Sequence, residues 1–149
     1  MISIFIYHTD IEAPLEEAWD FFTQPKNIER VQSFQNLKIE SSPYVTEGED
    51  LHVALSVGGI KTKWISEVTK VEPKRRFIDE GKDLPYPLEY WYHEHLFTEA
   101  DEKTIMVDRI IYEAKLPTFL LNIALRQTFK GRANRIKKYF HEERTSLYR

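Results

Sequence analysis

Apolar and polar residues alternate with a period of two through Trp91-Tyr92-His93-Glu94-His95-Leu96-Phe97, which predicts a β-strand. Trp91, His93, His95 and Phe97 then share one face, and Tyr92, Glu94 and Leu96 the other. A second alternating run sets Met106, Asp108, Ile110 and Tyr112 on a common face. Between the two lies the polar connection Ala100-Asp101-Glu102-Lys103, which suits a hairpin. With Asp101-Glu102 as a two-residue loop, His95 faces Asp108, Trp91 faces Tyr112 and Phe97 faces Met106; a register slip of two would set His93 opposite Asp108 instead, with the same residues on the face. Two imidazoles and a carboxylate are thereby set among aromatic side chains, the make-up of an apolar pocket lining.

The pattern elsewhere completes an α+β layout. Residues 2–11 alternate as a first strand, and Ala13-Pro14 ends it. Leu15 to Phe22 follows as a short helix, with Leu15, Ala18, Trp19 and Phe22 in one stripe and acidic residues in the first turn. Pro25 stops it, and Lys26 to Val31 makes a second helical turn. Leu37 and Ile39 open a strand that Ser42-Pro43 closes. Leu51, Val53, Leu55 and Val57 form another, joined through Gly58-Gly59 to a return strand carrying Ile60, Thr62, Trp64, Ser66 and Val68 on one face. Phe77-Ile78-Asp79 is extended, and Lys82 to Pro87 is expected to be a loop because two prolines forbid a central strand. From Pro117 the period becomes helical. Leu121, Leu125, Phe129, Ala133, Ile136, Phe140 and Leu147 track one stripe to near the end.

At 149 residues the chain is expected to form one domain with a real core. Aromatic residues make up 13%, a generous share that suits a cavity wall and a filled core equally. The formal charge of −3 argues against nucleic acid as the main partner. No cysteine is present, which excludes disulfides and thiol catalysis. No run approaches the ~18 apolar residues of a membrane span, and the stretch Met1-Ile2-Ser3-Ile4-Phe5-Ile6 gives way to Tyr7-His8-Thr9-Asp10 without the basic residues or apolar length expected of a signal peptide. A cytoplasmic protein without stable membrane insertion is expected. Serine triads, glycine-rich phosphate loops and paired-cysteine zinc motifs are absent.

The order of elements resembles the START-like helix-grip superfamily, which includes polyketide cyclase-like, plant Bet v 1-like and lipid-transfer domains. Local matches are Ile11 to Trp19 at the first strand–helix junction and Trp64 to Phe77 through Glu72-Pro73. Phe77-Ile78-Asp79-Glu80, the proline loop, Trp91-x-His93-x-His95-x-Phe97 and Thr104-x-Met106-x-Asp108-x-Ile110-x-Tyr112 are similar to the bacterial ligand-binding SRPBCC branch. The resemblance spans essentially the whole chain. It implies a curved antiparallel sheet gripping the last helix, two short helices after the first strand, and a cavity between sheet and helix. It also implies that Trp64, Trp91, His93, His95, Phe97, Met106, Asp108 and Tyr112 face that cavity. No particular reaction is implied, since the superfamily joins binders, transfer proteins and cyclases.

Several roles are open to His93, His95 and Asp108. They can form a satisfied buried polar cluster, fix the pose of a ligand, or act as an acid/base pair. Two histidines and a carboxylate also make a metal-ligand set, yet no further ligand stands nearby; no metal, cofactor or catalytic residue is assigned. Asp79 shares parity with Phe77, but an exposed edge position is its simpler reading, with Arg75 and Arg109 as partners if it points inward. The leading expectation is binding of a small, mostly apolar or amphipathic molecule. The walls are Trp64, Trp91, Phe97 and Met106 with Leu121, Leu125 and Phe129 of the long helix; His93, His95 and Asp108 form the anchor, and Tyr112 adds a hydroxyl. One alternative is a cofactor-free cyclase, dehydratase or isomerase using a His–Asp pair. Another is a ligand-free protein-interaction module of stress or chaperone type. Ligand identity and oligomeric state are left open.

Overall fold

A computed structural model describes residues 1–32, 37–57 and 59–147. The elements are β1 (Ser3–Ile11), α1 (Leu15–Phe22), a 3-10 turn (Pro25–Asn27), α2 (Ile28–Val31), β2 (Lys38–Glu40), β3 (Asp50–Val57), β4 (Ile60–Glu72), β5 (Arg76–Asp83), β6 (Leu88–Ala100), β7 (Lys103–Ala114) and α3 (Thr118–Leu147). The strands form one antiparallel sheet of order β1-β7-β6-β5-β4-β3-β2. Gly58 of the expected Gly58-Gly59 turn lies outside the described residues.

The β6–β7 hairpin has the register that its turn dictates. Asp101 and Glu102 both take positive φ, 48° and 64°, the signature of a two-residue primed turn whose twist matches that of its strands. Trp91 therefore pairs with Tyr112, His95 with Asp108 and Phe97 with Met106. Inward parity continues on β1, where Phe5, Thr9 and Ile11 are buried while Ile2, Ile4 and Ile6 are exposed on the outer face.

The long helix lies across the inner face of the sheet, and two apolar clusters form beneath it. One joins Phe21 and Phe22 of α1, Phe77, Phe97 and Met106 of the sheet, and Ile136 and Phe140 of α3. Trp19 meets Phe97 edge to face, ring centroids 5.2 Å apart. The second joins Phe5, Trp91, Ile110, Tyr112 and Phe129, with Trp64, Leu121 and Leu125 packed on it. Leu147 is the exception to the helical stripe: it is exposed because the helix outruns the sheet.

Two expectations need correction. Lys82 and Asp83 belong to β5, since the prolines begin only at Pro85 and Asp83 still pairs with Ile65 of β4. Asp79 is buried, not exposed. Strand β5 is interior to the sheet, so a residue sharing Phe77's side points under the helix. Arg75 and Arg109 are not its partners; they pair with Glu72 and Glu94.

Candidate functional site

Polar side chains from three strands and the helix meet where the two apolar clusters join. His95 Nε2 lies 2.7 Å from Asp79 Oδ2, and His93 Nε2 lies 2.8 Å from Asp108 Oδ1. The two imidazoles stack, with centroids 3.7 Å apart. Phe77 covers the other side of His95 at 4.0 Å. Arg132 of α3 donates to Asp108 Oδ2 at 2.8 Å, and its guanidinium lies over the Phe129 ring. A further chain runs outward: the Trp64 indole N–H donates to Ser66 Oγ at 2.8 Å, and Ser66 helps to favour the ionised form of Asp79. Asp108 has two donors, His93 and Arg132, as its burial requires.

The surroundings fix the charges. Burial alone would raise the Asp108 carboxyl, but the Arg132 guanidinium and the His93 hydrogen bond hold it well below the usual carboxylate range. Burial likewise opposes ionisation of Asp79, and the His95 hydrogen bond with the nearby imidazoles outweighs it. Burial and the neighbouring His93 push His95 down to about 4 despite Asp79, so it is neutral at pH 7. Ionised carboxylates only accept, so the histidines donate from Nε2.

Beside this network lies a cavity of about 380 Å³. Trp64, Trp91, His93, His95 and Tyr112 line it, as do Leu121, Leu125 and Phe129. Phe97, Met106 and Asp108 do not. Phe97 and Met106 are sealed in the first cluster under Trp19 and Phe22, because they lie on the half of the hairpin that α1 covers. Asp108 is fully buried behind His93 and Arg132, which cover it from the cavity. Tyr112 donates its hydroxyl to Asn122 Oδ1 at 2.7 Å, which commits that proton inside the protein.

Asp79, Ser66 and Arg132 also line the cavity; the sequence pattern sets Asp79 at an exposed edge and Ser66 on a strand face without a site role, and Arg132 is not named from it. A signal for Arg132 exists: it stands three residues after Phe129 and four before Ile136, both buried, and so on the inward stripe.

Ligand atoms of Asp79, His93 and His95 lie within 4.8 Å of one another, so among the described residues these three form a set that could hold a metal ion. Their arrangement does not favour it. The rings are stacked at 24°, which runs their lone pairs side by side instead of converging on one point, and each Nε2 already serves a carboxylate.

No family model and no curated protein sequence matches the chain. Solved structures do. Over 95% of this chain and 99% of that one it is similar to Ara h 8.0201, with TM-score 0.73 and 12% identity. It is also similar to a START superfamily protein from Mycobacterium smegmatis, with TM-score 0.75, 10% identity and coverage of 93% and 97%. The Zhui aromatase/cyclase from a Streptomyces species matches with TM-score 0.72, 12% identity and coverage of 95% and 94%. The chain therefore has the START-like, Bet v 1-like helix-grip fold, a curved antiparallel sheet around a long C-terminal helix. No helix among the described residues is long and apolar enough to cross a membrane.

Proposed function

We propose that the cavity binds one small, mostly apolar molecule whose polar group donates a hydrogen bond to Asp79, beside the two histidines. The observation that supports this most is the placement of a buried, ionised carboxylate, grouped with Ser66, His93, His95 and Arg132, in a cavity whose other walls are mainly aromatic and aliphatic. Apolar walls supply affinity, and a few fixed polar groups set the pose. The Nε2 hydrogens of both imidazoles are already directed at carboxylates. Acceptor capacity is what remains, and it lies on Asp79, because Nδ1 of the neutral His95 faces the buried Asp108 Oδ1 at 3.6 Å. Charge points the same way. Two carboxylates face one guanidinium, so with His93 in either protonation state the cluster carries no net positive charge. A hydroxyl or phenol suits it, and a carboxylate does not.

The test compares two probes of one shape, 2-naphthol and 2-naphthoate, titrated by fluorescence. Naphthol is expected to bind at least about tenfold more tightly, the worth of one charge-assisted hydrogen bond. Equal affinity, or tighter binding of the carboxylate, contradicts the reading.

A second reading is cofactor-free cyclisation or dehydration. It draws on the aromatase/cyclase among the similar folds and on the neutral His95 beside an ionised Asp79 at the cavity wall. It requires His95 to move a proton on a bound carbonyl compound. Turnover of an aromatic polyketide mimic, abolished by His95→Gln with probe binding intact, would establish it.

A further inference from the structure

A second feature lies at one end of the cavity. The amide of Lys115 donates to the Pro87 carbonyl at 2.9 Å, which brings the 84–87 loop beside the start of α3. Large apolar side chains stand in solvent on both elements: Tyr86 is 74% exposed, Phe119 65% and Ile123 53%, with Leu116 and Leu120 partly so. A bare apolar patch of this kind on one end of a protein marks an interaction surface.

Position along the helix says what kind. At 100° per residue, Phe119, Ile123, Arg126 and Lys130 follow one outer stripe, which changes from apolar to basic towards the C-terminus. Between Lys115 and Glu142 the sequence has no Asp or Glu, against six Lys and Arg. Three acidic residues border the patch: Asp83 and Glu89 on the strands that flank the loop, and Glu113 two residues before Lys115. Leu121 and Leu125, one helical face round, line the cavity together with Pro87 and Leu88. The apolar patch and the cavity wall are thus neighbouring faces of the same turns.

We propose that the start of α3 and the 84–87 loop dock on an anionic lipid bilayer, setting the cavity rim at the headgroup boundary. Apolar side chains enter the acyl edge while basic ones stay with the headgroups. Such a surface would hold the apolar molecules that the cavity suits, although docking is measurable with the cavity empty. A second copy of this chain fits the patch poorly, because Lys115, Arg126 and Lys130 would meet their own kind.

The test is co-sedimentation of the full chain with phosphatidylcholine vesicles, with and without phosphatidylserine, at low and raised salt. Binding to the anionic vesicles, reversed by salt, is expected. Phe119→Ser with Ile123→Ser should weaken it by at least about tenfold, and Lys115→Gln with Lys130→Gln by about fivefold per charge. All four sites are exposed, and an unchanged melting temperature shows that the variants fold. Absence of binding to anionic vesicles overturns the proposal, as does binding indifferent to both pairs of changes. Self-association lost with Phe119→Ser, without vesicle binding, assigns the patch to a second copy and overturns it as well. Naphthol binding without vesicles reports on the cavity separately.

Discussion

His95 sits directly opposite Asp108 in the β6–β7 ladder, yet its hydrogen bond goes to Asp79. His93 does the converse: it sits opposite Asp79 on β5 and bonds Asp108. The bonds run along the diagonals because diagonal neighbours lie within reach of long side chains. The crossing ties three strands together at one point, and Arg132 fastens that point to the helix.

A crossed network should be cooperative. Asp79→Ala is expected to cost about 2–3 kcal/mol, since it strips the buried His95 of an ionised acceptor. In a double-mutant cycle with His95→Ala the two losses should fall short of additive by about 1 kcal/mol or more. Urea melts of the four proteins measure this, and full additivity would mean that the hydrogen bond has no energetic weight.

Arg132→Met should be among the most damaging changes on the helix. It leaves Asp108 ionised and fully buried with only a histidine donor, a loss of about 3–5 kcal/mol. A further change of Asp108→Asn should recover part of that stability, because the uncompensated charge is then gone. Thermal melts of the single and double variants decide it.

Stability should fall on mild acidification. His95 titrates at about 4 in the fold, against 6.5 ordinarily. Below pH 6.5 the unfolded chain takes up a proton that the fold refuses, so the unfolded state gains. The loss runs from pH 6.5 to about 4 and amounts to about 3 kcal/mol. Asp79 and Asp108 act in a lower window. Their folded values are depressed, so their stabilisation is present above the ordinary carboxylate range and disappears only as pH falls below it. Melting temperatures between pH 8 and pH 4 should show the slope, and His95→Gln should remove most of it.

Phe97 and Trp64 should separate core from wall. Phe97→Ala empties a packed cluster and is expected to cost about 3–5 kcal/mol while leaving probe affinity unchanged in the folded fraction. Trp64→Ala, at a partly buried position on the cavity wall, should weaken naphthol binding and cost less stability.

What could be read beforehand depended on what sets the register. With Asp101-Glu102 as the two-residue turn, the pairings of β6 with β7 from Tyr90 to Ala100 follow from counting, and the register shifts only beyond them at Leu88; parity then puts His93, His95 and Asp108 on one face. No comparably tight turn fixes β5 against β6; the 84–87 loop intervenes. Asp79's partner was therefore hidden, although its parity with Phe77 was plain. Parity also cannot tell which half of a face lies under α1. Phe97 and Met106 share the side of Trp91 but are sealed by Trp19 and Phe22. Arg132 escaped notice because a cation on an apolar stripe reads as solvated until its carboxylate is located.

Native mass spectrometry of the purified chain, alone and with saturating 2-naphthol, bears most directly on the cavity. One small organic molecule per chain is expected, released on denaturation and absent from Leu125→Trp, which fills the wall from the helix side. Bare protein under both conditions, or an adduct that persists in Leu125→Trp, would contradict a ligand held between the sheet and α3.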